Sequence, residues 1–149
     1  MHTTDLKISE DLIVGATADL RGSTTISGAA TLSDVSKIVF DSQSVAGAGT
    51  NQATAANIDL ADGRLVFVTG ADGTVGVELP ALTTAAVGEL VIIVNTDASA
   101  ALEVYPATGD KILPAADNAG ITVAASSGLI LFKYDATAWI GFEPAAVGA

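Results

Sequence analysis

The chain has 149 residues, 50% hydrophobic but only 5% aromatic, with 15 glycines, no cysteine, and 17 acidic against 6 basic side chains. Without cysteine there is no disulfide framework and no thiolate metal site, so folding is independent of the redox state of the compartment. The formal charge of −11 disfavours docking to nucleic acid or to an anionic membrane. The small, β-branched and glycine-rich composition points to an all-β protein or a fibre.

The first residues, Met1-His2-Thr3-Thr4-Asp5, carry neither the cationic start nor the apolar core of a signal peptide. The longest uninterrupted apolar run, Leu90–Val94, is far short of a membrane span. Synthesis and folding in the cytosol are expected. The acids are scattered along the chain, which fits a solubilising surface better than an ion site.

From Ile8 to Ile38 a branched apolar residue recurs at every sixth position: Ile8, Val14, Leu20, Ile26, Leu32 and Ile38. That spacing fits neither the period of a helix nor that of a simple strand. It fits a segment that advances by a short strand, turns, and repeats. Gly15, Gly22 and Gly28 follow anchors closely, where a turn needs permissive backbone. Two architectures use the pattern: a single-chain left-handed β-helix, and three identical chains wrapped on one axis. The stretch supplies fewer than two coils of a single-chain helix, whereas repeat folds need about three units to close a core. The trimer is therefore favoured, with the six anchors as its oligomerisation residues.

Residues 42–57 read SQSVAGAGTNQATAAN, without period, and are expected to form a linker or loose crossover with a helical turn near Ala53–Ala56. Beyond Ile58 the signals become those of strands: Leu65–Thr69, Val75–Leu79, Leu90–Val94, Leu102–Tyr105, Ile121–Ala124, Leu129–Tyr134 and Ala138–Phe142. The continuous run Leu90–Val94 predicts a strand buried on both faces. Gly70-Ala71-Asp72-Gly73, Asn95-Thr96-Asp97, Thr108-Gly109-Asp110, Ser126-Ser127-Gly128 and Asp135-Ala136-Thr137 separate the strands as turns. The only other place allowed a short helix is Ala85–Val87. About seven short strands with such turns predict an antiparallel β-sandwich or barrel. The expected division is a hexad-repeat stalk over 1–43, a linker over 44–57 and a β head over 58–149.

Residues able to carry chemistry are few. The single histidine, His2, lies at a terminus, which removes Cys–His and most Ser–His–Asp schemes and conventional zinc sites. Hexapeptide acyltransferases use a hexad pattern like that of residues 14–37, but their usual catalytic histidine has no counterpart here. Gly70-Ala71-Asp72-Gly73-Thr74 and Ala107-Thr108-Gly109-Asp110-Lys111 lack the Walker pattern and read as hairpin turns. Asp59-Leu60-Ala61-Asp62-Gly63 offers too few oxygens for an EF-hand. Tyr105, Tyr134, Trp139 and Phe142 could form a sugar-binding patch, yet their strand context favours core packing. The predicted head core is Leu79, Val104, Tyr105, Tyr134, Trp139 and Phe142. No catalytic, cofactor-binding or metal residue is expected.

The stretches Gly76-Val77-Glu78-Leu79-Pro80, Val91–Asn95 and Leu102-Glu103-Val104-Tyr105-Pro106-Ala107-Thr108-Gly109-Asp110-Lys111-Ile112 form an ordered set with the close from Leu131-Phe132 to Trp139. This set resembles a β-rich domain of structural proteins of tailed bacteriophages, found in capsid decoration, head-fibre and tail-fibre proteins. The resemblance covers about residues 50–142, and VYPATGDKI is its most specific piece. The hexad region is similar to the stalks of trimeric phage fibres, with phrases such as Thr25-Ile26-Ser27-Gly28-Ala29-Ala30-Thr31-Leu32-Ser33.

The resemblance implies a homotrimeric virion protein with a narrow shaft and a β head. Its expected role is non-enzymatic: decoration of the outside of a phage head, with the major capsid protein as partner, after synthesis in the host cytoplasm. The alternative is a tail-fibre or spike component that recognises a host-surface glycan. Neither role involves nucleic acid, membrane or a cofactor.

Overall fold

The structure, a computed structural model, describes residues 40–85 and 87–143. All of them lie in the unit Ile38–Ala149. The hexad anchors Ile8, Val14, Leu20, Ile26, Leu32 and Ile38 lie outside the described residues.

Runs of β-branched and apolar residues, broken by Gly, Asp and Pro, give strands and no α-helix among the described residues. The strands are β1 (Ser42–Ala46), β2 (Ala56–Asn57), β3 (Leu65–Thr69), β4 (Gly76–Glu78) and β5 (Leu90–Asn95). They continue with β6 (Leu102–Tyr105), β7 (Lys111–Leu113), β8 (Ile121–Val123), β9 (Gly128–Lys133) and β10 (Ala138–Phe142). Among the described residues one 3-10 turn, Gln52–Thr54, overlaps the helical turn expected near Ala53–Ala56. β1 and β2 lie within the stretch read as a linker, so residues 42–57 supply strands to both sheets.

The strands form a six-stranded sheet of order β1-β3-β5-β9-β10-β7 and a four-stranded sheet of order β2-β4-β6-β8. Through the first six strands the chain alternates between the sheets, one strand in each. Ser42, Leu65 and Ile92 stack in register in the first sheet. Ala56, Val77 and Val104 do the same in the second. All these pairings are parallel, so β1–β2, β3–β4 and β5–β6 are three successive coils of a solenoid-like arrangement. Antiparallel strands then continue both sheets: β9 pairs with β5, β10 with β9, and β8 with β6. β7 closes the far edge, parallel to β10.

The expectation of an antiparallel sandwich or barrel is thus corrected: the described residues are all-β, but the first six strands wind in coils. The cause lies in the turns. Gly70–Thr74, read as a hairpin turn, is a corner that carries the chain from β3 in one sheet to β4 in the other. The Gly73 amide donates to Ala101 O of the next coil (3.0 Å), which fixes the coil-to-coil spacing at that corner. A corner and a hairpin both need permissive backbone and a side-chain cap, so local sequence does not separate them.

The core fills the space between the sheets. Val66, Val68, Val91, Ile93, Leu129, Leu131, Ile112 and Trp139 come from the first sheet, and Val77, Leu102, Val104 and Val123 from the second. Leu79 and Leu82 fill one end, beyond β4. Each fully buried Leu, Ile or Val contributes about 1.5–3 kcal/mol of hydrophobic stabilisation. One end of this core contains a cation: Lys133 points inward from β9, and its Nζ donates to Leu82 O and to Ala85 O (2.5 Å). Both carbonyls belong to the turn after β4.

Candidate functional site

Four turn aspartates each have one carboxylate oxygen occupied by neighbouring residues. Asp72 Oδ1 accepts from the Thr74 amide (2.8 Å), the Thr74 hydroxyl (2.8 Å) and the Val75 amide (2.9 Å). Asp97 Oδ1 repeats the pattern with Ser99 and Ala100, and Asp135 Oδ1 with Thr137. The three share the pattern Asp-x-Ser/Thr, a side-chain imitation of a backbone turn. Hydrogen bonds to the charged form hold each carboxyl below its ordinary range. For Asp72 the Thr74 hydroxyl leads, for Asp97 the Ser99 amide, and for Asp135 the Thr137 amide. At Asp59-Leu60-Ala61-Asp62-Gly63, Asp59 Oδ1 accepts the Ala61 amide (2.9 Å). The Gln43 amide there donates to the carbonyls of Asp59 and Gly63. These acids act as turn caps, and no group of three or more His, Cys, Asp or Glu among the described residues could hold a metal ion.

A corner of the core is polar. Asn95 ends β5 on its inward face and is 1% exposed. Its Nδ2 donates to Ala100 O (2.9 Å) and Ala124 O (3.1 Å), and its Oδ1 accepts the Asp97 amide (3.1 Å). Val68 occupies the same rung in the preceding coil. Asn95 replaces that valine where the coils end and three chain segments must be tied together.

The outer faces of the two sheets differ in chemistry. On the four-stranded sheet they present Asn57, Glu78, Glu103 and Thr122, with Thr122 Oγ1 donating to Glu103 Oε1 (2.6 Å). Partial burial raises the Glu78 carboxyl above its ordinary range. The half-buried ring of Tyr105 lies on this face over Gly76 and Gly120; a Cβ on either would meet it at 2.7 and 2.8 Å respectively. Only glycine leaves room for the ring at those two positions.

The outer face of the six-stranded sheet is apolar across β3, β5, β9 and β10, with Lys111 on β7 and Ser42 and Ser44 on β1 at its two edges. Leu65, Ile92, Ile130 and Phe142 lie in one row across four strands. Leu90, Phe132, Ile140 and Leu113 form a second row, and Phe67 with Val94 a third. Phe67 is 37%, Phe132 36% and Phe142 53% exposed. The rings of Phe132 and Phe142 meet edge to face at 6.1 Å. Within β3, β5, β9 and β10 no outward position holds a charge.

Of the residues expected in the head core, Leu79, Val104 and Trp139 are buried. Tyr134 is 58% exposed, Phe142 stands on the outer face of the first sheet, and Tyr105 on that of the second. Strand parity is the reason: Trp139 points inward from β10, so Phe142, three residues on, points outward. The run Leu90–Val94 is likewise buried on one face by the rest of the chain, with Leu90, Ile92 and Val94 only partly covered. The apolar outer rows escaped the sequence reading because an unbroken apolar strand looks the same whether its second face meets a helix, a sheet or another molecule. The signal was present in LVFVT, LVIIVN, GLILFK and AWIGF, none of which alternates with charge.

Compared with protein-family models, curated proteins and solved structures, the chain matches none.

Proposed function

We propose that this chain is a non-enzymatic structural protein of a virion: a homotrimer that decorates the outside of a phage head and stabilises it, with the major capsid protein as partner. The observation that carries the reading is the contrast between the faces of one β body, polar on the four-stranded sheet and apolar on the six-stranded sheet. An apolar face of that extent suits a component made to assemble. The turn role of Asp72, Asp97 and Asp135 and the resemblance carried by residues 102–112 support it further. A three-fold molecule suits three-fold positions of an icosahedral shell, where each copy meets an equivalent surface. Binding to the assembled shell and not to its free subunits stabilises the shell by mass action.

The test is the melting of phage heads that lack the protein, before and after its addition. The expected result is a higher melting temperature and co-sedimentation of the protein with heads. Unchanged melting without co-sedimentation refutes the proposal.

A second reading, recognition of a host-surface glycan, is favoured by the half-buried Tyr105 ring, flanked on its face by Glu78 and Glu103. An aromatic platform ringed by hydrogen-bonding groups is a usual sugar-binding arrangement. Glycan-array binding that is lost in Tyr105→Ala supports this reading, and a blank array removes it.

A further inference from the structure

We infer that the apolar outer face of the six-stranded sheet is the surface through which three copies of this chain meet, with that sheet turned toward the three-fold axis and the four-stranded sheet turned outward. The inference rests on the homotrimer of the proposed function and assigns its contact surface to the β head.

Size is the first argument. Five neighbouring strands, β3, β5, β9, β10 and β7, carry the apolar rows, and β1 ends them with Ser42, Ser44 and Ala46 facing outward. At about 4.8 Å between strands and about 3.3 Å per residue, that face measures roughly 24 by 20 Å. In a trimer each face is shared between two neighbours, so the three faces together bury roughly 1,400 Å² of projected area over three pairwise contacts.

Shape is the second argument. Three faces about 24 Å wide, set as the sides of a triangular prism, each lie about 7 Å from its axis. Ordinary side chains fill about 5 Å, half the usual spacing of packed sheets. The centre of each face then needs longer side chains than its margins. Phe132 stands outward on β9, the middle strand of the five, in edge contact with Phe142 on β10, and Phe67 stands outward on the marginal strand β3.

Charge is the third. A chain of net charge −11 gathers around an axis at lower electrostatic cost through a surface free of carboxylates. The outward positions of β3, β5, β9 and β10 meet that condition. The outer face of the second sheet, with Glu78 and Glu103, does not.

Because the chain has no cysteine, a single introduced thiol reports one place. The experiment uses the full chain carrying Ile130→Cys, at the middle of the face, treated with a trifunctional maleimide. The control is Thr122→Cys on the outer face of the second sheet. A covalent three-chain species from Ile130→Cys, with only single-chain adducts from Thr122→Cys, is the expected result. Rapid single-chain adducts at both sites mean an open face and overturn the inference. A thiol at 130 that is protected in a chain whose native mass is that of a monomer means a cover of another kind, such as residues 1–39 of the same chain, and also overturns it. A two-chain species without a third replaces the three-fold axis by a two-fold and overturns it as well. Cross-linking reads assembly alone, so failure of the head-melting test leaves this result untouched.

Discussion

Asn95→Val makes the β5 end of the rung resemble Val68 in the preceding coil, and by hydrophobicity alone it improves the core. Hydrogen bonding predicts the opposite. The substitution strands the carbonyl of Ala100 and the amide of Asp97, which Asn95 now satisfies at 2.9 and 3.1 Å, and leaves Ala124 O, now bonded at 3.1 Å, with the Ser127 amide as its remaining donor. A buried group without its partner costs about 1–3 kcal/mol. The two carbonyls are only part-buried and reach some water, so the three together cost about 4 kcal/mol. Burial of the valine returns about 1.5 kcal/mol, the lower end for an apolar side chain. The net loss is about 2–3 kcal/mol, or roughly 10–20 °C in melting temperature for a body of this size. Urea unfolding at fixed protein concentration, followed by the fluorescence of the single, fully buried Trp139, measures it. A variant with a midpoint equal to or above that of the parent refutes the assignment of Asn95 as the tie of this corner.

Three further outcomes are expected. Gly120→Ala drives a Cβ into the Tyr105 ring and costs about 1–2 kcal/mol in the parent, as overpacking does. In a Tyr105→Ala background the same change costs under about 0.5 kcal/mol, and equal costs in both backgrounds in a double-mutant cycle refute the ring contact. Lys133→Met leaves the carbonyls of Leu82 and Ala85 without their charged donor and lowers stability by about 2–3 kcal/mol, read from the denaturant midpoint. The lowered carboxyls of Asp72, Asp97 and Asp135 stabilise the fold above their ordinary value of 3.8, and that stability is lost as pH falls through their lower folded values. Melting temperature should therefore be nearly flat from pH 7 to 5 and fall below pH 4, and the triple change to Asn should flatten that fall; an unaltered acid limb removes the cap assignment.

The strands themselves were legible along the chain. β-branched and apolar runs mark β3, β5, β6, β9 and β10, and Pro80 and Pro106 follow the ends of β4 and β6, where a residue without an amide proton stops a ladder. The Asp-x-Ser/Thr turns were legible as turns, because a carboxylate two residues before a hydroxyl caps its own backbone. β1, with alternating serines, and β2, of two residues, carry too little apolar signal to be seen. They are strands because β3 and β4 offer them parallel edges.

The amino-acid sequence by itself determined that this chain is rich in β structure, acidic and free of cysteine, and where most of its strands begin and end. Tertiary structure decided which sheet each strand joins, that the turn after β3 is a corner and not a hairpin, and that Phe142 and Tyr134 face outward while Trp139 faces in. It also decided that Asn95 and Lys133 lie inside. The physical reason is that strand and turn propensities act over a few residues, whereas pairing partner, sheet membership and facing depend on backbone hydrogen bonds between residues more than twenty positions apart, such as the Leu65 amide to Asp41 O and the Ile92 amide to Arg64 O.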